Sequence, residues 1–346
     1  MPTDSGEPTG EFARADYTVT FTAPKVAQAM PPNCDHVGEL IVGAIGSPPE
    51  LYADAWLSLL EPAMFQELLA PRAPAGHKGT YGHVLVVAGS RGKTGAAAMA
   101  GLSALRAGAG LVTVASAQSA IAEIAAHAPE LMTEPLPETE SGSIALNANL
   151  EQLAKGKSVI AIGPGLGHAP QITAMVHALA AGFEGPMVLD ADALVPQGLA
   201  GRSSETRILT PHPGEMARLT GKSTAEVQTD RIGVARAYAM EHGVTLVLKG
   251  QRTVIAYPDG RVWINPTGTP AMGTGGSGDI LTGLIAGLVA QFRDHADQAV
   301  AAAVYLHGLA GQLGAQALGE KCLIATDLLQ YLPDAMEECA DIPHRV

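Results

Sequence analysis

Aromatic residues are scarce in this chain, 4% of 346 positions, and cysteine is scarcer still, with three in all. Cys34, Cys322 and Cys339 are too few for a disulfide framework and too far apart for metal-ligand spacing. Each reads as a free thiol, which fits a reducing cytoplasm. Positive charge is also short: 21 Lys and Arg against 34 Asp and Glu leave a formal charge of −13. That balance disfavours nucleic acid or an anionic membrane as partner, and any phosphate site must rest on backbone amides and a few cations. Long apolar runs are missing too. The stretches Ala96–Leu105 and Ile280–Ala290 are interrupted by Gly, Ser or Thr and are too short to cross a bilayer. The opening MPTDSGEPTG has neither a basic leader nor an apolar stretch, so no signal peptide is expected and the cytoplasm is the default location.

Apolar residues make up 47% of the chain, and there are 40 glycines. This composition suits one large domain with an appendage, a sizeable core and many tight turns. From Tyr81 onward the runs HVLVVAG, LVTVA, SVIAIG, PMVLDAD, RILTPHP, TLVLKG, TVIAY and RVWIN alternate with helix-length segments. The rhythm predicts an α/β domain with a mostly parallel sheet covered by helices. Ligands then belong at the carboxyl ends of the strands. Ahead of it, Tyr17–Phe21 and Glu39–Gly43 read as two strands of a short N-terminal β appendage, residues 1–48, too small to hold a core alone. Residues 49–76 carry a helical pattern between prolines and read as a linker, with the main domain over 77–340.

The sharpest motif is NPTGTPAMGTGGSGD, Asn265 to Asp279, followed by the apolar ILTGLIAGLVAQF. Glycines 273, 275, 276 and 278 let successive amides point into one cavity, and the next helix adds its positive end. Such an anion hole can stabilise a phosphoryl group in transfer. Asp279 falls in the first turn, where it either offsets the helix dipole or serves as a general base; its position directly behind the glycines favours the base. Gly89-Ser-Arg-Gly-Lys-Thr-Gly95 lacks Walker A spacing. It is a ligand loop or a plain turn with Lys93 in solvent. Ala161–Gly167 is a close backbone approach to a ligand or an ordinary strand-to-helix turn. Prolines on both sides of His212 stiffen its loop, which suits a substrate contact or a structural imidazole. Strand alternation would put Asp190 and Asp192 on one face, to orient magnesium or a ribose, or to cap the next helix. Lys249 to Thr253 joins two strands and can offer amides and cations to a nucleotide, or form a simple hairpin. Tyr305 and His307, within HADQAVAAAVYLHGLAGQLGAQAL, read as core packing, and that alanine-rich segment permits helix-mediated oligomers.

In this order, KGTYGHVLVVAGS, RAGAGLVTVA, AIGPGLG, VLDADAL, LTPHPGE, LKGQRTVIA and NPTGTPAMGTGGSGDILTGLIAG resemble the ADP-dependent NAD(P)H-hydrate dehydratases of the ribokinase-like superfamily, over about residues 77–332. The resemblance implies a three-layer α/β/α domain. It implies nucleotide contacts at Lys249, Gly250, Gln251, Arg252, Thr253, Gly275, Gly276, Ser277 and Gly278, and contacts to the hydrated cofactor at Ala96, Gly165, His212 and Asp279. The implied activity is metabolite repair: dehydration of the S-epimer of NAD(P)H hydrate, NADHX or NADPHX, to NAD(P)H with release of AMP and phosphate. ADP (or ATP) is the implied phosphoryl donor, Mg2+ the ion that comes with it, and Asp279 the base. No protein metal cage is expected, and a homo-oligomer is. A ribokinase-like small-molecule kinase using the same anion hole is the alternative, and a silent nucleotide-binding module a third reading. Residues 9–48 resemble the closing strands of an NAD(P)H-hydrate epimerase domain whose front is not in this chain, so no epimerase activity is expected from it.

Overall fold

The computed structural model describes residues 10–146, 148–195 and 206–340. The leader reading at MPTDSGEPTG therefore lies outside the described residues, apart from Gly10. Twelve strands are described: β1 (Tyr17–Phe21), β2 (Glu39–Gly43), β3 (Leu57–Leu59), β4 (His83–Val87), β5 (Leu111–Ala117), β6 (Met132–Leu136), β7 (Val159–Ile162), β8 (Met187–Leu189), β9 (Arg207–Leu209), β10 (Thr245–Leu248), β11 (Val254–Ala256) and β12 (Val262–Ile264). Ten of them form one sheet in the order β3-β12-β11-β10-β9-β8-β7-β4-β5-β6. It is parallel except where β11 pairs with β10 and β12.

The eight apolar runs read from sequence all become strands of this sheet. They are continuous rather than alternating because helices cover both faces. In β4, Val84 and Val86 pack on one side with helices Thr94–Arg106, Ser277–Gln291, Ala296–Leu318 and Leu328–Ala340. Leu85 and Val87 pack on the other with helices Pro170–Gly182, Pro213–Thr220 and Arg231–His242. The three-layer α/β/α architecture follows. The chain runs from β4 outward through β5 and β6, then returns to β7 on the other side of β4. That reversal opens a crevice above the carboxyl ends of β4 and β7. KGTYG, by contrast, precedes β4 and lies at the opposite end of the sheet, where Gly82 packs under the Ala290 carbonyl.

The segment expected to be a helical linker is not one. Leu57–Leu59 is an edge strand paired in parallel with β12, followed by single 3-10 turns at Pro62–Met64 and Gln66–Leu69. Leu60 and Phe65 are buried in the main core, so packing overrides the local helical pattern. β6 was also unread, because Glu134 and Pro135 within MTEPL mask an edge strand whose residues are mostly exposed. The appendage forms the two expected strands, parallel and in register Tyr17↔Glu39. It borrows its core: Ala29 and Met30 join the cluster beneath β10 and β11. The alanine-rich helix Ala296–Leu318 buries Ala299 to Val304 inside the molecule, so its small face serves internal packing rather than an oligomer contact.

Helix Ser277–Gln291 is seated by close approach to helix Thr94–Arg106. A Cβ on Gly283 would lie 1.9 Å from Ser103 Oγ and 2.1 Å from the Ala100 carbonyl oxygen. Backbone on one side leaves no cheap escape. Gly283→Ala should therefore lower the melting temperature, even though alanine gains about 1 kcal/mol in helix propensity. Gly182→Ala, at a helical position with open space, is the control and should melt no lower than the parent. Equal melting of the two variants would refute this account of the seating.

Candidate active site

Helix Ser277–Gln291 begins at Gly276, whose φ of +97° favours glycine. Among the described residues no side chain caps it; the Ser277 N–H makes a long 3.5 Å bond to the Thr274 carbonyl, and the Gly278 N–H is left for another acceptor. Gly276 also needs its bareness for space, because a Cβ there would sit 2.5 Å from Met99 Sδ. Below the turn, His307 Nε2 donates to the Ser277 carbonyl at 3.0 Å. Burial pushes this imidazole down to about 4. His307 thus fixes the helix start, a role beyond the core packing read from sequence; Tyr305 does pack, against Phe65 with ring centroids 5.4 Å apart.

Beside the turn lies a group of charges drawn from four elements. Lys249, following β10, donates from Nζ to Asp190 Oδ1 at 2.7 Å and lies 3.9 Å from Glu215 Oε2. Asp190, only 1% exposed, also accepts from Thr282 Oγ1 at 2.9 Å. A Cβ on Gly278 would be 3.3 Å from Lys249 Nζ, which puts the ammonium directly under the glycine turn. Burial opposes the charge on Lys249, yet Asp190 and Glu215 outweigh it and hold its pKa above the usual lysine value. The ammonium is thus engaged by carboxylates rather than presented as an isolated phosphate ligand.

Asp279 completes the group. Among the described residues its carboxylate has no hydrogen-bond or ion-pair partner. Burial first, then the negative charge of Asp190, push it up to about 6, with Lys249 pulling the other way. A carboxylate without a protein partner and with a pKa near neutrality is suited to accept a proton from a bound hydroxyl. The alternation expected to place Asp190 and Asp192 on one face does not reach them, because β8 ends at Leu189 and Ala191 turns the chain at φ +48°. Asp192 instead accepts from the Gly167 amide at 2.7 Å and pairs with His168 Nδ1 at 3.0 Å. Neither carboxylate caps the short turn that follows.

The loops expected to meet the second ligand are joined to each other. Ser90 Oγ donates to the Gly165 carbonyl at 2.7 Å, and a Cβ on Gly165 would lie 3.2 Å from Ala96 Cβ. Lys93 is exposed. His212 sits at the head of helix Pro213–Thr220, where Nδ1 accepts the Gly214 amide at 3.0 Å. That contact leaves Nε2 as the protonated nitrogen, 3.6 Å from Glu215 Oε1 and largely exposed. His212 therefore connects through Glu215 to Lys249.

A cavity of about 990 Å³ lies on the other flank of Lys249, large enough for a nucleotide. Lys249, Gly250, Gln251, Arg252, Thr253, Ser277 and Gly278 line it; Gly275, Gly276, Ala96, Gly165, His212 and Asp279 do not. Two features, one behind its wall and one in it, were not read from sequence. Arg231, 4% exposed, donates to the carbonyls of Gln251 and, at 3.1 Å, Leu248. It braces a loop in which Arg252 is held at φ +57°. Burial lowers the Arg231 pKa to about 10. The second feature is Arg14 and Asp35 of the appendage, which also line the cavity. Within the described residues, no three His, Cys, Asp or Glu side chains converge as a metal cage.

A glycine-started helix facing a nucleotide-sized cavity on a three-layer parallel sheet is the ribokinase-like arrangement. A ribokinase-like superfamily protein from Enterococcus faecalis superposes on 83% of this chain with a TM-score of 0.71 and 27% identity, over 98% of its own length. The chain belongs to the NAD(P)H-hydrate dehydratase family, whose model matches residues 84–334. It is 45% identical to the bifunctional NAD(P)H-hydrate repair enzyme of Moorella thermoacetica over 96% of its length, and spans 64% of that relative. It is 40% identical to the ADP-dependent (S)-NAD(P)H-hydrate dehydratase of Bacillus subtilis, across 77% of this chain and 92% of the relative. A crystal structure of the Bacillus subtilis ADP/ATP-dependent dehydratase, co-crystallised with ATP and Mg2+, matches with a TM-score of 0.72 and 34% identity, covering 81% of this chain and 97% of that one.

Proposed function

We propose that this chain dehydrates the S-epimer of NADHX or NADPHX with ADP, or ATP, as phosphoryl donor. The reading is carried by one observation: Asp279, whose carboxylate has no hydrogen-bond or ion-pair partner among the described residues and is pushed up to about 6, lies in the first turn of the helix that faces the nucleotide-sized cavity. Asp279 takes the proton from the hydroxyl on the hydrated ring, and that oxygen attacks the terminal phosphorus. The bond from phosphorus to the leaving nucleotide oxygen breaks, releasing AMP when ADP is the donor. The amides of Gly275 to Gly278 stabilise the charge that develops on the transferred group. Phosphate then departs with the carbon–oxygen electrons, aided by the ring nitrogen's lone pair, and loss of a proton from the neighbouring carbon restores the dihydronicotinamide. On this reading Ala96, Gly165 and His212 contact the hydrate, and Lys249 to Thr253 with Ser277 and Gly278 contact the nucleotide.

Magnesium fits as an ion carried by the phosphates, since the nearby Asp190 is committed to Lys249 and Thr282; bound there it would neutralise phosphate charge. Cytoplasmic residence, homo-oligomeric assembly and the division into an appendage, 1–48, and a main domain that takes in the edge strand β3 and runs to 340 belong to the same proposal. Three unpaired cysteines support the first, and exposed Tyr17, Val19 and Phe21 the second. The test is to incubate the chain with hydrated NADH, Mg2+ and either nucleotide, following near-ultraviolet absorbance and phosphate release. Recovery of absorbance with stoichiometric phosphate is expected. Nucleotide binding without recovery would overturn the reading in favour of a small-molecule kinase, which would yield a stable phosphorylated product.

A further inference from the structure

The appendage reaches the cavity through Arg14 and through the short turn Asn33–His36, which is anchored by Ala29 and Met30 in the core. Gln251, whose side chain belongs to the cavity wall, donates from Nε2 to Asp35 Oδ1 and lies 3.8 Å from Cys34 Sγ. Cys34 is buried, and Arg252 partly offsets the upward push of that burial on its thiol. Gln251 and Arg252 of the 249–253 loop are therefore both faced by the appendage, and Arg231 holds the same loop through the carbonyls of Gln251 and Leu248.

The cavity is also polarised. The Gly278 N–H, which has no carbonyl partner among the described residues, draws phosphate to one part of its wall, beside the Ser277 N–H and its long 3.5 Å contact to the Thr274 carbonyl. Asp35 adds a carboxylate that repels phosphate but suits hydroxyl and amino donors. We propose that the appendage completes the nucleotide site: Asp35 positions Gln251 and faces the nucleoside end of the bound nucleotide, with Arg14 beside it, while the phosphates lie toward Ser277 and Gly278. With its Nε2 held by Asp35, Gln251 turns its amide oxygen to the remaining donors of that nucleoside. Asp35 is a positioning residue on this view, and the inference rests on the nucleotide reading of the cavity.

The experiment uses the full chain and ADP. Asp35→Ala should weaken ADP binding measured by calorimetry about tenfold, the factor that about 1.4 kcal/mol represents. In turnover it should raise KM for ADP far more than it changes kcat. Asp35→Asn keeps a carbonyl oxygen for Gln251 and should recover most of the loss. Gln251→Ala should match Asp35→Ala, and the double variant should lose no more than either single one, as expected of two residues acting through one contact. Wild-type ADP affinity in Asp35→Ala, or fully additive losses in the double variant, would overturn the positioning role alone. Failure of the wild-type chain to bind ADP at all would overturn the nucleotide reading and this inference together.

Discussion

Asp279→Asn should lower kcat by about 10² to 10⁴, the usual contribution of a positioned general base. The substitution preserves shape and removes only the proton acceptor. ADP affinity should change little, because Asp279 does not line the cavity. In the wild type the base must be deprotonated to act, and its pKa is about 6. kcat/KM should therefore be flat above that value and fall about tenfold per pH unit below it. Near-normal turnover by Asp279→Asn, or no acid limb near pH 6, would show that the base is elsewhere.

The second large effect is expected at Lys249. Lys249→Met removes the ammonium that faces Asp190, Glu215 and Asp279 while keeping the packed stem. Lysine is 19% exposed here and Asp190 only 2%, both by side chain. Breaking such a pair from one side ordinarily costs about 3–5 kcal/mol. Lys249 lowers the Asp279 pKa, so its loss should move the acid limb of kcat/KM to higher pH in addition to destabilising the fold. The stability deficit also has a sign in pH. Uncompensated buried carboxylates bind protons more readily folded than unfolded, so the variant should regain stability as pH falls from 7 toward 5. Urea unfolding at the two pH values, with the rate profile alongside, distinguishes this from simple loss of packing. A deficit independent of pH with an unmoved limb would mean that Lys249 merely fills space.

Much of the fold could be read from sequence because both faces of the sheet are buried. The eight apolar runs needed no alternation to be recognised as strands, and each lies in the central sheet. The reading failed where burial is partial or borrowed. β3 is three residues long and gains its stability from β12 and the core below it. β6 carries a proline at an edge. The site divides in the same way. Glycines and helix order announced the helix start at Gly276, and Asp279 stands in its first turn. Nothing local to Arg231 or His307 marks them as supports of the site, since each acts on backbone 17 to 30 positions away.

By itself the sequence determined the mostly parallel, helix-covered sheet through its pattern of burial, and the family, with its three-layer class, through its motifs, because both are written residue by residue. Only the tertiary structure decided how the charges are shared. It set Lys249 between carboxylates 59 and 34 positions away, left Asp279 without a hydrogen-bond or ion-pair partner among the described residues, and brought Asp35 across 216 positions to Gln251. Coulomb interaction and desolvation depend on distance in space, and sequence separation sets neither.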